Sequence, residues 1–246
     1  MISAWWSIGG GLAGLIIGSF IATLVIRWPK GEGMGGRSHC DACGRRLAFS
    51  ELVPVVGFAA VKGRCRTCGA AISWRHPVIE ILAMLIGAVA LGSSPNLAGV
   101  FGALFGWQLL TLAALDIDHF WLPNWLTGLL AITGLAVAIT MEREMLINRL
   151  IGGAIGYGVL LAIGWIYRRL RGRTGLGAGD PKLLGGIGLW LGWASLPYVL
   201  IGASVMGLCI AAIMVLRGKR VAGDTRLPFG ALMAVAAFPM WVFTLS

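Results

Sequence analysis

Apolar residues along this chain neither alternate nor mark out a single helical stripe; they continue for lengths that would cross a bilayer. A helix needs about 20 mostly apolar residues to traverse the roughly 30 Å hydrocarbon core. Runs of that kind occupy about residues 4–26, 77–93, 96–115, 121–141, 147–167, 181–193, 195–216 and 227–245. The pattern predicts an all-α integral membrane protein with about eight transmembrane helices. The sixth run is short, and the pattern does not settle where it gives way to the seventh. Gly-rich stretches such as "IGGAIGYGVL" predict faces on which helices approach closely.

Composition agrees, since 58% of the 246 residues are hydrophobic and only 12% are charged, far from the balance of a soluble domain. The first run has no basic region before it and meets Arg27 without a small-residue cleavage site, so it reads as a retained helix over 1–27. A cytoplasmic loop domain is expected over 28–75 and a seven-helix membrane domain over 76–246.

The net charge of +10 does not point to nucleic acid, because the basic residues are grouped by loop. Nine of the 20 Lys and Arg fall in 27–75, four in 168–173 and four in 217–226, with Lys182 just beyond the second group. Those segments share one side of the membrane if all eight runs cross. Arg143 and Arg149, near Glu142 and Glu144, are left on the other side. The excess of positive charge on cytoplasmic loops then predicts that the basic loops are cytoplasmic and both termini are periplasmic.

The first loop carries "CDACGRRLAFSELVPVVGFAAVKGRCRTCG", a Cys-x2-Cys pair at Cys40 and Cys43 and another at Cys65 and Cys68. Two such knuckles can present four thiolates to one tetrahedral Zn²⁺. Disulfides are disfavoured on a cytoplasmic side, and a redox Cys-x2-Cys needs no duplicate. Four thiolates leave no open position for water or substrate, so the zinc is expected to be structural, stapling a loop too small to fold by burial alone. Cys209, inside an apolar run, reads as a small buried hydrophobe.

Few acids remain near the bilayer: Glu80, Asp116, Asp118 and Asp180. Asp116 and Asp118 sit in "LDIDHFWLPN" and Asp180 in "GLGAGDPKLL", which the topology places at the same membrane face. Two carboxylates within a few ångströms cannot both ionise easily; one becomes a base and its partner keeps a proton. Such a pair can activate water against a peptide carbonyl and later protonate the leaving amine. The bland alternatives are a helix N-cap for Asp180, which precedes Pro181, and a solvated loop for Asp116, Asp118 and His119. Spacing does not decide whether Asp116 or Asp118 would face Asp180. If backbone amides engage Asp180, it would be the base of the pair. Gly177 and Gly179 would give a substrate strand access to Asp180. Lys182 would tune a neighbouring carboxylate or extend to the interface. Glu80 is a weak candidate for binding an ammonium or a cofactor, with pairing to Arg75 or Lys182 as its alternative.

"GLGAGDPKLL", "LDIDHFWLPN", "CDAC" and "CRTC" together closely resemble the type IV prepilin peptidases, bifunctional leader peptidases and N-methyltransferases of bacterial inner membranes. "GSFIATLVIRWP", "WRHPVIEILA" and "RLPFGALMAVA" have counterparts there in the same order, so the resemblance covers nearly the whole chain. It implies Asp116 rather than Asp118 as the first catalytic aspartate and Asp180 as the second. It also implies cleavage of a basic leader from prepilins or pseudopilins after a glycine at the cytoplasmic membrane border, then methylation of the new N-terminus by S-adenosylmethionine. Pro181 and Asn124 depart from the pattern without removing either carboxylate. No Gly-rich nucleotide-binding turn is visible, so methyltransferase residues stay unassigned. A transporter or membrane scaffold with a structural zinc loop, and a peptidase lacking methyl transfer, remain the competing readings. Against the transporter, the two halves of the chain show no internal repeat.

Overall fold

The computed structural model describes residues 2–33, 35, 38–40, 42–141, 143–219 and 225–245. Arg37, Asp41, Glu142 and Arg220, which enter the charge and motif readings, lie outside them. The helices are α1 (Ile2–Arg27), α2 (Val56–Ala60), α3 (Arg75–Ser93), α4 (Leu97–His119), α5 (Asn124–Thr140), α6 (Leu146–Arg171), α7 (Asp180–Leu191), α8 (Leu196–Leu216) and α9 (Phe229–Phe243). Among the described residues there is no strand, only two isolated antiparallel bridges in the loop after α1. The all-α expectation therefore holds, and each of the eight apolar runs coincides with a helix.

Five helical segments are long and apolar enough to cross a membrane: Ser3–Lys30, Arg75–Ser93, Leu97–His119, Arg143–Arg171 and Trp193–Leu216. The remaining three, α5, α7 and α9, have 17, 12 and 15 residues and fall short of that length. The boundary left open between the sixth and seventh runs lies at Gly192, whose φ of 78° and ψ of 172° end α7. That φ is readily adopted only by glycine. A single 3₁₀ turn, Trp193–Ser195, leads from there into α8.

The chain divides into two compact units, Met1–Trp107 and Gln108–Ser246. In the first, α1 packs along α3. Gly10, Gly14 and Gly18 recur every fourth residue on α1, and a Cβ on Gly14 would run into the Ala83 carbonyl of α3. A Cβ on Gly87 would in turn strike the Gly10 carbonyl. Small residues replace side-chain interdigitation with backbone approach, which is how helices associate where lipid removes the hydrophobic incentive. The indole of Trp107 donates to the Ala83 carbonyl at 2.9 Å and closes the same layer.

In the second unit α7 lies against α5 and α6 and touches α9. Leu183, Leu184, Ile187 and Trp190 are all within 2% of full burial. Nine of the twelve α7 residues are buried, so protein rather than lipid surrounds this short helix. The "IGGAIGYGVL" stretch behaves as its composition predicts: a Cβ on Gly156 would come within 2.6 Å of the Leu184 carbonyl, and one on Gly188 would strike that of Gly152. Trp190 donates its indole N–H to the Leu130 carbonyl at 2.9 Å, tying α7 to α5.

Candidate functional site

The loop of the first unit contains two copies of one turn. Cys40 N–H donates to the Arg45 carbonyl at 2.8 Å and Gly44 N–H to the Cys40 carbonyl at 2.8 Å. Twenty-five positions on, Cys65 N–H donates to Ala70 and Gly69 N–H to Cys65, each at 2.9 Å. Gly44 and Gly69 follow the second cysteine of each pair at φ 69° and 70°, the left-handed geometry that lets the chain fold back beneath the sulfurs. The bridges His39 to Arg46 and Arg64 to Ala71 zip the two knuckles.

These turns bring all four thiols together. The Cys40 and Cys68 sulfurs are 3.8 Å apart, those of Cys43 and Cys65 4.0 Å, and all four lie within 4.8 Å of one another. Disulfide sulfurs bond at about 2 Å, whereas a tetrahedral Zn²⁺ with Zn–S near 2.3 Å sets its sulfurs about 3.8 Å apart. Number, chemistry and spacing of the donors thus fit a tetrahedral thiolate metal site. The amides of Cys68 and Thr67 hold the Cys65 thiol down to about 6. The Ala70 amide also pulls Cys68 down, but its sulfur neighbours, Cys43 first, push it up to about 11. Thiols this close resist joint deprotonation until a cation shares the charge. Arg45 donates to Glu51 at 2.7 Å, and Glu51 also accepts the Ala48 amide at 2.8 Å, fixing the first knuckle to the turn that follows it. These bonds, that from Arg45 first, hold the Glu51 carboxyl below its ordinary value.

Glu80 sits on α3, 6% exposed, and accepts the Val55 amide at 2.7 Å. Within its own unit it binds loop backbone rather than the expected Arg75; in the second unit Lys182 donates to Asn124 at 2.6 Å.

The second unit contains the carboxylate pair. Asp116 lies on the last turn of α4 and Asp180 at the first residue of α7, 5% and 6% exposed. Both face Gly230 at the start of α9. A Cβ on that glycine would be 2.9 Å from Asp116 Oδ2 and 3.1 Å from Asp180 Oδ1, and the sum of those distances bounds the separation of the two oxygens. Asp118 is only half-buried, and Ile117 between them is exposed; a two-residue step turns a helical side chain well over a quarter-circle away. His119 is exposed.

Each carboxylate accepts backbone amide hydrogen bonds. Asp180 Oδ2 accepts from Gly177 at 3.0 Å, and Asp116 Oδ2 accepts from Ala231 at 2.8 Å. The N-cap alternative for Asp180 is not realised: the cap residue of α7 is Gly179, and the Asp180 carboxylate turns back to the preceding loop. It is Asp116, on a distant helix, that satisfies an otherwise orphaned amide in the first turn of α9. Gly177 and Gly179 serve by close approach, since neither has a positive φ. A Cβ on Gly177 would press on Asp180 Oδ2 at 3.0 Å, and one on Gly179 on the Leu122 side chain at 2.6 Å. Sequence reasoning did not single out Gly230, Ala231 or Leu122. The signal available was "RLPFGALMAVA", with a glycine in the first turn of an otherwise apolar helix.

The chain matches the model of the type IV leader peptidase family over residues 96–212 and that of the bacterial peptidase A24 N-terminal domain over residues 12–93. It is 36% identical over 250 residues to a prepilin leader peptidase/N-methyltransferase of Burkholderia pseudomallei (strain K96243), covering 90% of this chain and 80% of that protein. The chain belongs to the type IV leader peptidase family.

Other relatives named prepilin leader peptidase/N-methyltransferase match over a similar share of the chain. That of Aeromonas hydrophila is 33% identical over 254 residues and that of Pseudomonas aeruginosa 32% over 252, each with 92% of this chain and 87% of the relative covered. No solved structure matches. Within the family's two matched segments, the four cysteines and Glu80 fall in the first and both aspartates in the second.

Proposed function

We propose that this membrane protein is a prepilin leader peptidase and N-methyltransferase in which Asp116 and Asp180 form the peptidase dyad. The observation that carries the reading is the convergence of both carboxylates on Gly230, in a chain of this family. One ionised carboxylate takes a proton from a water attacking the scissile carbonyl. Its protonated partner hydrogen-bonds the carbonyl oxygen and then helps protonate the departing amine. Two first-turn amides of α9, Ala231 and Gly230, support negative charge on Asp116, whereas Asp180 has the Gly177 amide alone, so Asp116 is assigned the base. Asp180 keeps the proton on Oδ1, the oxygen it turns toward Gly230. This reverses the role that capping alone would give Asp180.

Substrates of this chemistry are prepilins or pseudopilins with a basic leader ahead of an apolar helix, cut after glycine where leader meets membrane. The grouped basic loops support an orientation in the bacterial inner membrane with the zinc loop and the dyad cytoplasmic and both termini periplasmic. Zn²⁺ held by Cys40, Cys43, Cys65 and Cys68 would be structural. S-adenosylmethionine would supply the methyl group for the new N-terminal amine.

Purified enzyme incubated with a prepilin, with and without S-adenosylmethionine, tests both activities by mass spectrometry. The expected products are mature pilin without the donor and pilin heavier by one methyl group with it. Uncut prepilin would refute the peptidase, and cut but unmethylated pilin the transferase.

A further inference from the structure

The first unit contains a cavity of about 240 Å³ between the zinc loop and the facing ends of α1 and α3. Asp116 and Asp180 do not line it. Its walls include Ser19, Thr23 and Arg27 of α1, Glu80 of α3, Val55 of the loop, and Cys40 and Cys65 of the metal cluster. Two of these residues carry opposite charges and are more than nine-tenths buried: Arg27 is 8% exposed and Glu80 6%. Among the described residues no side chain pairs with the Arg27 guanidinium. Glu80 Oε2 accepts the Val55 amide and the carboxylate also accepts the Ser19 hydroxyl, which still leaves acceptor capacity on it.

The Val55 end of that bond is strained. Val55 has φ 61° and ψ −50°, and Val56 N–H closes back on the Pro54 carbonyl at 2.6 Å. This is a γ-turn of the uncommon positive-φ kind on a β-branched residue, which costs on the order of 1–3 kcal/mol unless its surroundings hold it. Strain of that kind gathers where a wall must be placed against a ligand.

Buried charges require partners. A simple anion would satisfy Arg27 and be opposed by Glu80; a simple amine would do the reverse. A zwitterion with ammonium and carboxylate on one carbon satisfies both. The volume lies below the roughly 300–1,000 Å³ of sites that enclose a whole drug-sized ligand, and so suits one end of a larger molecule.

We infer that this cavity binds the α-amino-acid end of the sulfonium methyl donor, Arg27 taking its carboxylate and Glu80 its ammonium. The inference rests on the methyltransferase half of the proposed function. It gives the zinc staple a purpose there, since Cys40 and Cys65 form part of the same wall.

The test is direct binding to the purified full-length protein by calorimetry. The probes are S-adenosylhomocysteine, its decarboxylated analogue and 5′-methylthioadenosine, which lacks the amino-acid end. Wild type is expected to bind the homocysteine compound about tenfold or more tightly than either truncated probe. Glu80→Gln and Arg27→Gln should each weaken S-adenosylhomocysteine by about tenfold or more, and in Arg27→Gln its advantage over the decarboxylated analogue should vanish. Thermal unfolding and zinc content establish that a variant is folded; should one fail, the wild-type ligand series still decides whether the amino-acid end is read. Equal affinities of wild type for all three probes overturn the inference. So does an advantage that persists in a folded Arg27→Gln, which would leave methyl transfer standing and place its donor elsewhere. No binding of S-adenosylhomocysteine at all would defeat the methyltransferase reading itself.

Discussion

Asp116, near the end of one helix, closes the beginning of another 115 residues away by accepting the Ala231 amide at 2.8 Å. The bond aims a buried carboxylate and supplies a partner that the first turn of α9 would otherwise lack. The position of the proposed base thus depends on a contact between helices far apart in sequence.

Replacing either aspartate should stop leader cleavage without unfolding the protein. Asp116→Asn and Asp180→Asn keep an oxygen that can accept the Ala231 or Gly177 amide and lose only the titrating group. Removing general acid or base action is expected to lower kcat by about 10²- to 10⁴-fold, read by the rate of prepilin conversion. Asp118→Asn, at a half-buried site off the shared face, should retain most of the activity. A wild-type rate in either of the first two would sink the dyad.

Gly230→Ala is expected to be a peptidase variant although glycine has no functional group. Its new methyl would lie 2.9 Å from one carboxylate oxygen, 3.1 Å from the other and 2.8 Å from Leu122 Cδ1. Something has to move, and a displacement of about 1 Å at a reacting centre can cost about 10²-fold in rate. Gly158→Ala, where a Cβ meets nothing within 4 Å, is the matched control and should cleave normally.

The cysteine cluster predicts one zinc per chain by elemental analysis of protein purified without added metal. Cys43→Ser or Cys65→Ser should lower that content and loosen the loop, seen as faster proteolysis between the two knuckles. Structural zinc contributes on the order of 10–16 kcal/mol to small zinc-dependent folds, so a strong chelator should reproduce the effect. Full occupancy by iron instead of zinc, or a stable disulfide, would require another account of the site.

Widening the α6–α7 contact should destabilise the second unit. Gly188→Ala places a methyl against the Gly152 carbonyl, which is backbone and cannot swing aside. Overpacking of this kind costs about 1–3 kcal/mol, expected as a lower unfolding midpoint in detergent. Because α7 begins with Asp180, cleavage should fall in parallel.

Much of this architecture is legible in local pattern. The unbroken apolar runs specify helices because a backbone in lipid has no other way to satisfy its polar groups, and each run became one. The two Cys-x2-Cys-Gly segments specify their knuckles because a turn of that length, closed by a left-handed glycine, is a local matter. "DIDH" and "GAGD" mark where carboxylates occur.

Sequence spacing could not choose between Asp116 and Asp118, or show that Gly230 lies where the chosen one meets Asp180. It left capping open as the alternative for Asp180, whereas the first turn of α9 is capped by Asp116 from another helix. Glu80 likewise met a strained backbone amide rather than Arg75. Those outcomes depend on which helix ends are brought side by side, a consequence of glycine-lined packing summed over whole helices. Residue types, helices and the metal knuckles were determined by the sequence itself, because they arise from interactions a few residues apart. Which carboxylate faces which, and which amide holds it, was decided by tertiary packing, because the partners are separated by tens of residues and no local energy distinguishes them.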